Sequence, residues 1–279
     1  MLDFLFSIIY GIIEGITEWL PISSTGHLIL AEDLIPFKNV SEGFFSMFEV
    51  VIQLGAILAV IFLFWNKLWP FKSKTSNSAS IIKPQSIQLW LKVIVATIPA
   101  AILGFLLDDW LDEHLYNKIT VAIMLIVYGV IFIVVERYNK NRTSAVDKLP
   151  ALNYKTAVLI GCFQVLALIP GTSRSGATIL GAIILGCSRP VAAEFSFFLA
   201  IPTMFGASFL KIVKYLQDFS FTGFEVFILL VGMIVSFVVS VFAIKALMNY
   251  VKKKDFSFFG YYRIALGILV LALTPVLGA

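Results

Sequence analysis

The sequence predicts an all-α polytopic membrane protein, with six transmembrane helices, two re-entrant helix-loop-helix hairpins and an inverted-topology internal repeat. Three observations carry this prediction. First, 59% of the 279 residues are hydrophobic and only 14% charged, whereas a soluble domain is about 45–50% apolar and about 25% charged. Mean hydropathy is +0.95, and a soluble core of this length cannot hide so much apolar surface. Second, apolar runs of about 20 residues, enough to span a bilayer, recur six times. Third, two further apolar segments are each broken by proline and small polar residues, roughly 150 positions apart. A soluble enzyme, a disordered chain and a nucleic-acid-binding module are thereby excluded. The chain reads as one membrane domain over 1–279.

The elements follow in order. The first apolar segment, 2–20, has Asp3 where a cleavable leader carries Lys or Arg, and Glu14 and Glu18 interrupt it, so it is not read as a signal peptide. It runs into Pro21-Ile22-Ser23-Ser24-Thr25-Gly26-His27 and resumes as a short apolar helix over 28–34. Spans are expected at 44–65, 86–107 and 119–135. A second broken segment, 154–169, runs into Pro170-Gly171-Thr172-Ser173-Arg174-Ser175-Gly176-Ala177-Thr178 and resumes over 179–185. Spans at 191–215, 223–248 and 260–277 complete the chain.

Pro21 matches Pro170, Ser23-Ser24 matches Thr172-Ser173, and Gly26 matches Gly176 after one inserted residue. Gln53-Leu54-Gly55-Ala56 falls opposite Met204-Phe205-Gly206-Ala207. The chain therefore reads as a first repeat over about 1–140 and a second over about 150–279. Each half holds one hairpin and three spans. Three is odd, so the second half is inverted, and the hairpins meet from opposite sides near the midplane. Irregular backbone at that depth must be buried in protein or line a wet cavity.

Charge sets the orientation. Lys67, Lys72, Lys74, Lys83, Arg137, Lys140, Arg142, Lys148, Lys155 and Lys252–Lys254 fall on one side. Asp108, Asp109, Asp112, Glu113, Glu32, Asp33 and Glu42 fall on the other, most of them in an expected acidic loop. The basic side is expected in the cytoplasm, with both termini outside. Residues 72–80, rich in Ser and Asn, read as a mobile cytoplasmic loop. The net charge of +4 reflects these loops; no basic stripe interleaves with aromatics, so no nucleic-acid partner is expected. Cys162 and Cys187 show neither metal-ligand spacing nor a disulfide framework. The bilayer is the expected partner, and a homo-oligomer is compatible with the sequence.

Ionisable groups inside membrane segments are costly and are functional candidates by default. Glu14 and Glu18, one helical turn apart, repel each other in a low dielectric; a shared proton or an oxygen-seeking Mg²⁺ or Ca²⁺ relieves this. Arg174 reads as the one arginine within the apolar body. With Thr172, Ser173, Ser175 and Thr178 around it and a helix starting there, it suits a phosphate cradle, or a tie between the hairpins through Glu14 or Glu18. His27, beside Ser23 and Ser24, is a candidate base, acid or nucleophile, or a structural cap. His114 reads as a solvated loop residue.

Two carboxylates, a Ser/His pair and an Arg/Ser/Thr cradle in a membrane domain suit hydrolysis of a phosphate ester or anhydride on a lipid. The stretch from Glu14 to His27 resembles the glutamate-rich motif of the undecaprenyl-diphosphate phosphatases of the bacitracin-resistance type, and Pro170 to Thr178 resembles their second motif. The resemblance covers essentially the whole chain. It implies removal of the terminal phosphate of undecaprenyl diphosphate, giving the carrier lipid of cell-wall synthesis. It also implies a divalent cation, a plasma-membrane location, a site opening outwards and a role in bacitracin resistance. On this reading Ser173, Arg174, Thr178, Ser23, Thr172 and Ser175 hold the diphosphate, and Glu14 and Glu18 bind the cation. Ser24 is the candidate nucleophile with His27 as its base; a water activated by Glu18 or His27 is the alternative. A transporter or flippase built on inverted repeats is the rival function. The lipid phosphatases that pair two histidines fit poorly, because no second membrane-level histidine is present.

Overall fold

In the computed structural model, residues 2–72 and 81–277 are described, without the side chains of 108, 112 and 275–277. Of the expected 72–80 loop, residues 73–80 lie outside the described residues. The chain runs through α1 (Leu2–Thr17), α2 (Ser24–Leu34), α3 (Phe44–Val51), α4 (Gln53–Leu63), α5 (Trp65–Leu68), α6 (Pro84–Leu115) and α7 (Lys118–Asn139). It continues through α8 (Tyr154–Val165), α9 (Arg174–Ile184), α10 (Arg189–Asp218), α11 (Gly223–Tyr250) and α12 (Ser257–Leu277). Among the described residues β pairing is limited to two isolated bridges, Phe71 with Ile82 and Val146 with Cys187.

Among the described residues, six segments are long and apolar enough to cross a membrane: Phe44–Leu63, Pro84–Leu107, Lys118–Asn139, Arg189–Asp218, Gly223–Tyr250 and Ser257–Thr274. The chain is a multi-pass membrane protein. Its outward faces carry residues such as Phe105, Phe209 and Phe242, each more than two-thirds exposed, as suits a surface solvated by lipid rather than water.

Two elements differ from expectation. The first span is interrupted at Ile52, which separates α3 from α4. The expected acidic loop is instead the last turns of α6, which runs on to Leu115. No Gly or Pro follows Leu107 in that stretch; the helix stops only before Asn117, whose side chain caps α7 by accepting from Thr120 N–H.

Packing sets the depth of the breaks. α1 lies along α11, with Ser7 Oγ donating to the Ile228 carbonyl at 2.6 Å and Gly15 against Ser236, midway along α11. α8 lies along α6, with Gly161 against Ala96, midway along the Pro84–Leu107 span. Both broken segments therefore end about level with the middle of the helix they pack against. Each then turns back. Tyr10 Oη donates to the Ile35 carbonyl at 2.7 Å, which returns the end of α2 to the level of α1. Ala145 and Val146 N–H donate to Gly186 at 2.8 and 3.1 Å, which returns the end of α9 towards the start of α8.

Apart from those at the two breaks, the paired charged groups lie at the two ends. Lys118 pairs with Asp33 at 3.0 Å and Lys214 with Asp109 at 2.7 Å, and Glu225 accepts from Ser41 N–H. At the opposite end Arg189 grips Glu136 through Nε at 3.0 and 3.1 Å, and Lys67 pairs with Glu194. α7 and α12 touch backbone to backbone: a methyl placed on Gly129 or Gly260 would stand 2.7 Å from the other's carbonyl oxygen.

Candidate active site

The two breaks are built alike. Ser23 caps α2 and Ser173 caps α9, each Oγ accepting from the N–H three residues on, Gly26 at 3.3 Å and Gly176 at 3.1 Å. Both serines hold positive φ, 72° and 70°, the only non-glycine cases among the described residues. Such a backbone costs about 1–3 kcal/mol and persists only where its surroundings enforce it. The caps also correct the expected register. Ser23 corresponds to Ser173, Ser24 to Arg174 and Gly26 to Gly176, with no inserted residue between them, because cap chemistry rather than the prolines aligns the two segments.

The breaks are bonded to each other. Arg174 Nη2 donates to Glu18 Oε1 at 3.1 Å, and its Nη1 donates to the Ser196 carbonyl at 2.8 Å. The guanidinium lies over the Trp19 ring, 5.8 Å from its centroid. Ser175 Oγ donates to the Glu18 carbonyl at 3.0 Å. Thr178 Oγ1 is 2.7 Å from Ser196 Oγ and also reaches the Arg174 carbonyl at 2.9 Å. Ser173 Oγ lies 3.2 Å from Ser175 Oγ. The tie between Arg174 and Glu18 is thus present, while Ser175 and Thr178 spend their hydroxyls on the scaffold.

Ser24 and His27 make different bonds from those expected. Ser24 Oγ donates to Glu18 Oε2 at 2.8 Å. His27 bonds the Ser23 carbonyl through Nδ1 at 2.7 Å and Tyr262 Oη through Nε2 at 2.8 Å, with its ring stacked on that of Tyr262. The one-turn spacing places Ser24 and His27 on one helix, but the serine bonds the carboxylate of Glu18, just past the end of α1.

Several buried polar atoms at the site have no hydrogen-bond partner among the described residues. These are both carboxylate oxygens of Glu14, Nε of Arg174 and Oγ1 of Thr172. The charges bearing on Glu14 are those of Glu18, Glu49 and Arg174. Glu14, with two unpartnered oxygens, beside Glu18, whose oxygens each accept one hydrogen bond and keep a lone pair, fits a hard divalent cation. Among the described residues no group of three or more His, Cys, Asp or Glu is placed to hold a metal, so water or substrate oxygens would have to complete its shell. Glu49 accepts from Tyr116, and Glu194 is committed to Lys67.

Arg174 is not the only arginine in the apolar body. Arg263, in the second turn of α12, is fully buried. Its Nη1 donates to the Pro21 carbonyl at 3.2 Å, and its Nη2 to the Gly171 and Thr172 carbonyls at 2.8 and 2.9 Å. One guanidinium thus holds the chain just before both strained serines, and faces the Tyr128 ring at 5.5 Å. The sequence carried a signal for it, a lone cation within the last span. Tyr262 and Ser196 carried none, since neither differs in type from its apolar-span neighbours enough to stand out.

The profile of the family described as bacitracin resistance protein BacA matches residues 7–269. Proteins named undecaprenyl-diphosphatase are similar over nearly the full length. That of Enterococcus faecalis is 59% identical over 269 residues, 96% of each chain. That of Acetivibrio thermocellus is 60% identical over 270 residues, 97% of each chain. That of Streptococcus mutans serotype c is 58% identical over 267 residues, 95% of this chain and 94% of the relative.

Proposed function

The chain belongs to the bacitracin resistance protein BacA family, and on that premise we propose how its site works as an undecaprenyl-diphosphatase. The enzyme hydrolyses undecaprenyl diphosphate to undecaprenyl phosphate and inorganic phosphate, renewing the carrier lipid of the bacterial cell wall. The observation that carries the site assignment is the set of unpartnered buried atoms. Glu14 offers acceptors, while Arg174 Nε and Thr172 Oγ1 offer donors. That complement suits a cation next to an oxyanion, which is what a diphosphate with its counter-ion presents.

Phosphoryl transfer is mostly positioning and charge stabilisation. Arg174 bridges Glu18 and the phosphate, with Thr172 and the Ser173 cap beside it. Ser24 is the nucleophile and Glu18, 2.8 Å away, takes its proton as Oγ bonds to the terminal phosphorus. The anhydride bond breaks and undecaprenyl phosphate leaves with the proton Glu18 had taken; Glu18 then takes a proton from the attacking water and returns it to Ser24 Oγ as the phosphoserine bond breaks and phosphate is released. Mg²⁺ or Ca²⁺ held by Glu14 and Glu18 would neutralise the diphosphate. His27 joins the Ser23 carbonyl to Tyr262 and sets the angle of the first break.

The two helix–break–helix pairs are assigned as re-entrant hairpins of two inverted halves. Supporting this are their mid-depth ends, the shared cap geometry and the reciprocal packing of α1 on α11 and α8 on α6. The Lys-rich end is assigned to the cytoplasm, and the site opens to the outer side. The test is phosphate release from undecaprenyl diphosphate by purified protein in detergent, with and without chelator. Chelator-sensitive release is expected; a transporter alone would release none.

A further inference from the structure

At the basic end, away from the site above, a cavity of about 600 Å³ is bordered by Asn66, Lys67, Lys83, Ser86, Lys92 and Pro150, among others. We propose that this cavity binds the phosphate group of an anionic phospholipid. Among the described residues no acidic side chain lines it, and none occurs anywhere from Asn66 to Lys92, a stretch with five lysines. Lys67 is neutralised by Glu194. Lys83 Nζ reaches only the Asn66 carbonyl, at 3.2 Å. Lys92 is 6% exposed, and its Nζ has the Pro150 carbonyl at 3.3 Å and the face of Tyr154.

Among the described residues neither Lys83 nor Lys92 meets a carboxylate. A buried ammonium without an anion is costly, and a bound anion supplies what the fold omits. The N-terminus of the 32-residue α6 adds its positive end, since Pro84, Gln85 and Ser86 line the same space.

The setting favours a lipid over a soluble anion. Trp65 and Trp69 stack at 4.7 Å and are nearly half exposed, with Phe71, Ile81 and Ile82 exposed nearby. Exposed tryptophans mark the membrane–water interface, and basic recesses at that level on the cytoplasmic side take anionic headgroups. Leu89 and Leu149 give the cavity an apolar wall for the start of an acyl chain.

The test is lipid retention by native mass spectrometry after exchange into neutral detergent with equal phosphatidylglycerol and phosphatidylcholine. The full-length protein is compared with Lys83→Gln and with Lys83→Gln/Lys92→Gln. Phosphatidylglycerol should be retained at least fivefold over phosphatidylcholine, with that preference lost in the double variant and reduced in the single one. A parallel arm adds inorganic phosphate. If phosphate at millimolar concentration displaces no lipid, the apolar wall contributes as argued; if phosphate alone binds, the lipid assignment falls. Equal retention of both lipids by the unmodified protein, or a preference unchanged in both variants, overturns the proposal. The Lys83 side chain is half-buried and, among the described residues, holds only one hydrogen bond, to a carbonyl, so its single variant is expected to fold, which a single folded peak in size-exclusion chromatography checks. Phosphatase activity in neutral detergent should be the same for all three proteins, so this result stands apart from the hydrolysis test.

Discussion

Arg263→Lys separates two ways of reading the core of this protein. Lysine keeps the charge but has one nitrogen where arginine has two that face different breaks. Nη1 serves Pro21, and Nη2 serves Gly171 and Thr172. A lysine can take one set and must leave the other. The smaller loss is the single Pro21 acceptor, and a buried acceptor without a donor costs about 1–3 kcal/mol. The strain at the adjoining serine is of similar size, about 1–3 kcal/mol, so the freed break has reason to relax. A shift of 1 Å in Ser24 or Arg174 degrades alignment at phosphorus, and tenfold in rate corresponds to about 1.4 kcal/mol. We expect kcat to fall tenfold or more with KM within about threefold, because Arg174 still meets the phosphate. Steady-state kinetics on protein that elutes as a single folded species checks this. A kcat within twofold of the unmodified enzyme would refute the claim that Arg263 sets the geometry of both breaks. Arg263→Met, which leaves every acceptor bare, should lower stability by about 3–5 kcal/mol, as for other broken buried charge networks.

Arg174→Lys loses the fork that spans Glu18 and Ser196, and kcat/KM should drop at least tenfold in an enzyme assay. Ser24→Ala should remove nearly all turnover, and Ser24→Ala/Glu18→Gln should be little worse than either change alone, as for groups acting as a unit; an alanine enzyme keeping a third of its rate would leave water as the attacking group. Glu14→Gln should raise the Mg²⁺ concentration needed for half-maximal rate, read from a cation titration, whereas an unchanged requirement with lost rate would remove Glu14 from the cation site. A cysteine at Lys140 should resist an impermeant thiol reagent on intact cells, and one at Asp109 should react.

The six spans were legible because lipid-facing surface demands apolar residues all along a helix, and composition alone reports that. Glu14, Glu18, Arg174 and the serines were legible because polar groups stand out at membrane depth. Partnerships were less so. The Ser24–His27 spacing suggested a pair, yet Glu18 lies at the end of the preceding helix, and only the fold of the break brings it to the serine. Arg263 was passed over because it sits inside an otherwise ordinary span. The extension of α6 through Asp109 to Leu115 was hidden because charge was read as loop, although nothing in that stretch ends a helix.

The contact between Gly129 and Gly260 has a mechanical consequence. Two backbones at that separation leave no room for one helix to slide or roll over the other, so α7 and α12 behave as a single welded beam. Arg263 and Tyr262 project from that beam, and the strained serines lean on it. Whatever parts to admit a lipid with a long tail must therefore lie elsewhere, and the obvious hinges are the places where the helical ladder is weakened: Ile52 between α3 and α4, and Pro202 inside α10. The enzyme would then open by flexing its jointed side while the welded side keeps the reacting groups aligned.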